Sequence, residues 1–180
     1  MRAPEWCRVG ERRIERSGRR VLYSLHMLFS SRLNYRRSNA IESINFILSP
    51  HARALTRQLL GSKSTAKRQI IGTALLDALS DLARIDIVRL KVSAAKQWHK
   101  KRRGRVVFKQ YGFYRPKSHY IYVNNRTAVR GQTVAGKTFL NTLLHEWLHH
   151  YDYKKLGLRS IHTRGFYARL RDLKEKLICP

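Results

Sequence analysis

Acidic side chains are scarce: 11 Asp and Glu stand against 38 Lys and Arg in 180 residues, a formal net charge of +27. That imbalance exceeds what solubility needs and points to a polyanionic partner, nucleic acid first. Cysteine is nearly absent. Cys7 and Cys179 lie near opposite ends and make no C-x-x-C pair. This excludes a disulfide framework and a cysteine zinc site, and suits a reducing, intracellular location, cytoplasmic or nucleoid-associated. No run approaches the roughly 20 apolar residues of a membrane span, so no membrane partner is expected. The segment "RRVLYSLHMLFSSRL" has the basic flank and short apolar stretch of an export signal. However, Glu5, Glu11 and Glu15 sit in the flank, His26 interrupts the apolar part, and no clean cleavage site follows. Internal repeats and low-complexity tracts are also missing.

What is present suffices for one globular domain, since 43 % of the residues are hydrophobic. Residues 1–50 read as a basic extension, with Arg12, Arg13, Arg16, Arg19 and Arg20 followed by a short amphipathic helix around Val21 to Leu33. Residues 51–180 read as the domain. Helical spacing runs over 52–60 and 65–84, where Ile70, Ile71, Ala74, Leu75, Ala78, Leu79 and Leu82 recur, with a break near Gly61. "IDIVRLKV" and the two β-rich runs of "RVVFKQYGFYRPKSHYIYVNN", parted by a turn at Pro116, predict a small antiparallel sheet. The intervening "HKKRRGR" reads as a solvated loop. Aromatic residues follow it closely, from Phe108 to Tyr122, and basic residues interleaved with aromatics are what single-stranded nucleic-acid binders use. Packing of a small sheet is the simpler reading of those rings. Two helices close the chain: one with the stripe Phe139, Leu140, Leu143, Leu144, Trp147, Leu148 and Tyr151, ending near Lys154 with Gly157 as cap, and one carrying Phe166, Leu170, Leu173 and Leu177. The fold class is α+β.

The stretch "GQTVAGKTFLNTLLHEWLHH" satisfies two catalytic patterns at once. Gly131, Gly136, Lys137 and Thr138 fit G-x-x-x-x-G-K-[ST], and His145, Glu146 and His149 fit H-E-x-x-H. A phosphate loop needs a buried strand before it and a later strand delivering an acid to magnesium; "RTAVRG" is a poor strand and the residues after Thr138 read as helix. The zinc pattern makes better use of its surroundings. Residues four apart share a helix face, so His145 and His149 can address one ion while Glu146 lies beside them as a proton acceptor for water. A catalytic zinc needs a third ligand. His162 follows after a turn and precedes the last helix, whose positive dipole end keeps an imidazole neutral. Asp172 and Glu175 are alternatives; Glu175 and His162 would lie roughly 20 Å apart along a continuous helix, so they exclude each other. The form H-E-x-x-H-x-x-G-x-x-H fails at Asp152 and Lys155. His150, about 100° around the helix from His149, is expected to face solvent or a supporting partner. His26, His51, His99 and His119 have no partner spacing.

The residues "LLHEWLHHYDYKKLGLRSIHTRGFYARL" resemble the SprT-like metallopeptidase domain, with H-E-x-x-H-x-Y followed by a third histidine in an H-x-x-x-F context. Tyr151 matches that Tyr, His162 the third histidine and Phe166 the Phe, while "HYIYVNN" is similar to the strand before the active-site helix. The resemblance covers roughly residues 85–178. It implies a minimal zincin, a Zn2+ ion on His145, His149 and His162, Glu146 as the catalytic acid/base and peptide-bond hydrolysis. The Spartan members act on proteins crosslinked to DNA, which implies a protein substrate and a DNA partner. Two departures stand out: the chain lacks the cysteine zinc ribbon of many members, and its Arg-rich first 50 or so residues match nothing in the family. Tyr151 and Tyr153 are candidates for steadying an oxyanion. The alternative function is a basic nucleic-acid-binding protein with a structural or vestigial zinc site.

Overall fold

A computed structural model describes residues 31–178, so the basic arginines at 12–20, the helix expected over 21–33 up to residue 30, and both cysteines lie outside the described residues. The larger of two compact units runs from Asn34 to Pro180. Residues 34–49, which the sequence assigns to the extension, therefore belong with the domain, and Ile44 and Leu48 are buried in its core.

Residues 31–40 are helical (α1), and Pro50–Gly61 form α2. Ser49 caps α2 by accepting from the Ala52 amide at 3.2 Å, and Pro50 enters the first turn, where no amide is needed. Gly61 ends it, and Thr65–Ala83 follow as α3. Leu55 and Leu59 of α2 and Leu75, Leu76 and Leu79 of α3 meet in the core. Strands β1 (Arg89–Lys96), β2 (Trp98–Arg102), β3 (Arg105–Gln110), β4 (Gly112–Arg115) and β5 (Tyr120–Arg126) come next, with one 3-10 turn at Pro116–Ser118. Helices α4 (Gly136–Lys154) and α5 (Arg164–Ile178) finish the fold.

The fold is α+β, but its sheet is not the small antiparallel one expected. Three strands lie in the order β1-β5-β4; β1 and β5 are parallel, and only β4 runs against β5. A parallel pair needs a long connection, and here the chain leaves β1, travels out and back along β2 and β3, and passes through β4 before β5 begins. The second departure is "HKKRRGR", expected as a loop. It supplies β2, the turn and the start of β3, a separate antiparallel hairpin. Arg103 and Gly104, both at positive φ (48° and 75°), make the two-residue turn that fits the strand twist.

Behind the three-stranded sheet, Leu90, Val92, Ile121 and Val123 point into the core, where the apolar side of α4 (Leu143, Leu144, Trp147, Leu148, Tyr151) also packs. Trp147 donates its indole N–H to Ser80 on α3 at 3.2 Å. Arg68, fully buried, donates to the carbonyls of Ser62 (2.9 Å) and Val134 (2.8 Å) and to Asn125, and its guanidinium lies over Phe139. This one side chain ties α3 to the loop that aims α4. Gly136 at the start of α4 sits where a Cβ would meet the Leu60 carbonyl at 2.2 Å, so close helix contact accounts for the glycine of the phosphate-loop pattern.

Candidate metal centre

One turn of α4 separates His145 from His149, which places both imidazoles on the side of the helix away from Trp147. After α4 the chain turns at Gly157 (φ 60°) and returns so that His162 stands just before α5. Thr163 caps α5, accepting from the Phe166 amide at 3.1 Å. The outcome is a triangle of nitrogens: Nε2 of His145 lies 2.9 Å from Nε2 of His162 and 3.2 Å from that of His149, and the third side is 3.0 Å. Phe166 packs against all three rings, with centroids at 5.0, 4.7 and 5.2 Å, and so limits their rotation.

Three imidazoles cannot all be satisfied by one another, because each ring nitrogen pointing inward needs a donor and every neighbour offers the same atom. Three nitrogen ligands held tetrahedrally at about 2.0–2.1 Å from one ion would lie about 3.3 Å apart, close to the observed spacing. His145, His149 and His162 can therefore hold a metal ion. Burial, reinforced by the neighbouring imidazoles, pulls His145 down to about 4 and His149 down to about 3. Both rings are then neutral near pH 7, with lone pairs free to bind.

The protein also fixes which nitrogen faces inward. Ser160 Oγ donates to Asp152 Oδ2 at 3.2 Å, which leaves it to accept from Nδ1–H of His149 at 2.6 Å. His149 thus carries its proton on Nδ1 and presents a bare Nε2. Asp152 is gripped in turn by Arg169, Nε to Oδ1 at 3.1 Å and Nη2 to Oδ2 at 2.8 Å, with both side chains fully buried. Arg169 reaches on to the carbonyls of Ser38 (2.8 Å) in α1 and Ile41 just after it. Ser160, Asp152 and Arg169 were not singled out in the sequence. Asp152 had figured there only as the residue that breaks a longer zinc motif, and no local pattern marks this chain of contacts.

Glu146 is 8 % exposed and shares with His145 a cleft of ≈ 280 Å3 lined also by Phe108, Lys109, Tyr111 and Thr142. Burial pushes its carboxyl up to about 7, against the opposing pull of a hydrogen bond from the Tyr114 backbone. His150, expected to face solvent or a supporting partner, takes the second role and is fully buried. Its Nε2–H donates to the Asp86 carbonyl at 2.7 Å, so Nδ1 accepts from the Tyr114 hydroxyl at 2.8 Å. It anchors β4 to α4 and takes no part in the triangle, because β4 covers the face onto which it points.

The remaining candidates lie elsewhere. Tyr151 is buried, donating its hydroxyl to Asn45 at 2.7 Å, so it cannot reach the cleft. Asp172 accepts from the Ile44 amide and from Lys176, and Glu175 lines a different groove with Leu60 and Lys137. No helix among the described residues is long and apolar enough to cross a membrane. No family model, curated protein or solved structure matches the chain.

Proposed function

We propose that the chain is a zinc-dependent metallopeptidase of the SprT-like kind, with a minimal zincin fold, that hydrolyses peptide bonds in proteins associated with or crosslinked to DNA. The observation that carries this reading is the convergence of three imidazole Nε2 atoms, within 3.2 Å of one another, with the buried Glu146 carboxyl lining the same cleft as His145. His145, His149 and His162 would hold the ion, which when bound supplies a Lewis acid for the scissile carbonyl and makes water more acidic. Glu146 takes the proton from water and hands it to the leaving amine. Its carboxyl, poised at about 7 by burial, suits both halves of that task, and a nearby cation favours the ionised form that must accept first. The Tyr114 amide holds the carboxylate in place meanwhile.

An open side supports catalysis over a purely structural ion, since structural sites are closed by four protein ligands. Here three histidines form the cluster, His162 is exposed, and the cleft at Glu146 gives access. Glu146→Gln should keep one zinc per chain while cleavage of an unfolded protein, assayed with and without single-stranded DNA, drops by roughly 10²–10⁴-fold. Full activity in that variant would end the proposed role of Glu146. Wild-type protein that binds no zinc would return the chain to the alternative reading, a basic nucleic-acid-binding protein.

A further inference from the structure

Between Asp86 and Glu146 the sequence holds no acidic residue at all. That stretch contains every strand among the described residues, and its charge is concentrated in the β2–β3 hairpin: Lys100, Arg102, Arg103, Arg105 and Lys109 are all exposed. The hairpin pairs only with itself, forming a sheet of two strands. Its large apolar side chains are exposed as well: Trp98 is 56 % exposed and Phe108 53 %. A two-stranded ribbon is marginal in water on its own, and rings this exposed bury little area that could support it. Cross-strand register places Lys100 opposite Phe108, and Trp98 meets Phe108 edge to face at 5.8 Å. Lys100 therefore shares one face with the two rings.

We infer that the β2–β3 hairpin is a binding ribbon for single-stranded nucleic acid, with Trp98 and Phe108 stacking on unpaired bases while Lys100 and the tip residues Arg102, Arg103 and Arg105 meet the phosphates. The layout favours this occupant over an anionic membrane. A membrane-inserting hairpin carries its apolar residues at the tip, whereas here the tip, Arg102 to Arg105, is the most charged part and the rings lie toward the base. Duplex DNA offers phosphates to the arginines but keeps its bases stacked away from the rings. Phe108 and Lys109 also line the cleft that reaches His145 and Glu146. A strand on the ribbon thus passes the mouth of the candidate site, where a protein attached to it would be presented. The inference gives the proposed peptidase a surface for its nucleic-acid partner, but binding itself does not rest on that reading.

The test is binding of the full chain, zinc-loaded and metal-free, to a fluorescent oligothymidylate of about 15 nucleotides across a salt series. Because Arg12 to Arg20 attract any polyanion, the informative quantity is the difference between variants. The double variant Trp98→Ala/Phe108→Ala should bind about tenfold or more weakly with an unchanged salt slope. Arg102→Ala/Arg103→Ala/Arg105→Ala should flatten the slope by about 2. Trp98→Tyr/Phe108→Tyr should restore binding, and zinc content and melting temperature should stay at wild-type values throughout. Wild-type affinity in the alanine double variant, equal affinity for a duplex of the same length, or stronger capture by phosphatidylserine vesicles would each overturn the inference. Loss of peptidase activity with these results intact would count against the proposed function and leave the ribbon standing.

Discussion

The candidate metal centre and the hairpin are built on opposite terms. At the centre every histidine rests on something buried: Phe166 lies against the three rings, and His149 is bonded through Ser160 and Asp152 to an arginine with no solvent exposure. In the hairpin Trp98, Val107 and Phe108, side chains that would normally seek a core, are exposed. The difference separates two sources of order. Folding free energy fixes the first region before any ligand arrives, which lowers the cost of binding; the second awaits a ligand to order its side chains.

The sharpest way to break this contrast is to cut the support behind the centre. Arg169→Ala would strand the Asp152 carboxylate in the core, and we expect a loss of roughly 3–5 kcal/mol in unfolding free energy by denaturant titration. A variant as stable as wild type would mean that the ion pair does not hold the region. Next in size is Ser160→Ala, which removes only the link between His149 and Asp152. Zinc affinity measured by chelator competition should fall roughly 10–100-fold while the melting temperature of metal-free protein stays near wild type. Unchanged affinity would reduce Ser160 to a packing residue.

A third test is the pH dependence of the metal-free protein. His145 and His149 have folded values of about 4 and 3, below an unfolded value of about 6.5. The unfolded chain therefore binds more protons as pH falls below about 6.5, so stability contributed by these groups is complete above that pH and declines toward pH 4 and below. Melting curves of the metal-free wild type and a His145→Gln/His149→Gln variant should diverge in that window, and parallel curves would contradict the sign. Saturating zinc should push the decline to lower pH, because it holds the neutral rings.

These two regions were also unequally legible in the sequence. The triangle of histidines could be anticipated because its information is local: four residues along a helix, then a turn marked by Gly157 and a third histidine before the next helix. Its support was invisible, since Ser160, Asp152 and Arg169 meet only once α4 and α5 lie side by side and α1 closes over them. The hairpin was hidden for a different reason. His99 to Arg105 has the composition of a solvated loop, and nothing in it has strong β propensity; only the Arg103–Gly104 turn, read with the aromatic residues on both sides, hints at a strand pair. The parallel pairing of β1 with β5 was illegible because alternation reports which face is buried and says nothing about the direction of the neighbour. His150 shows the same blindness at one residue: its angle on the helix was correctly read, but β4 covers that side as well.

The Asn34 side chain donates to the Arg159 carbonyl and accepts from the Arg159 amide, both at 2.8 Å and across 125 positions of chain. Together with Arg37 on the Leu156 carbonyl, it holds the loop that delivers His162. In kinetic terms the centre is a late event. During synthesis α1 is made well before the third histidine, so the long-range contacts that shape the loop must wait until the ribosome has passed residue 162. A chain stalled before that point carries two histidines of the triangle and lacks the third, and the order of translation itself keeps the triangle incomplete until the segment after Gly157 has been made.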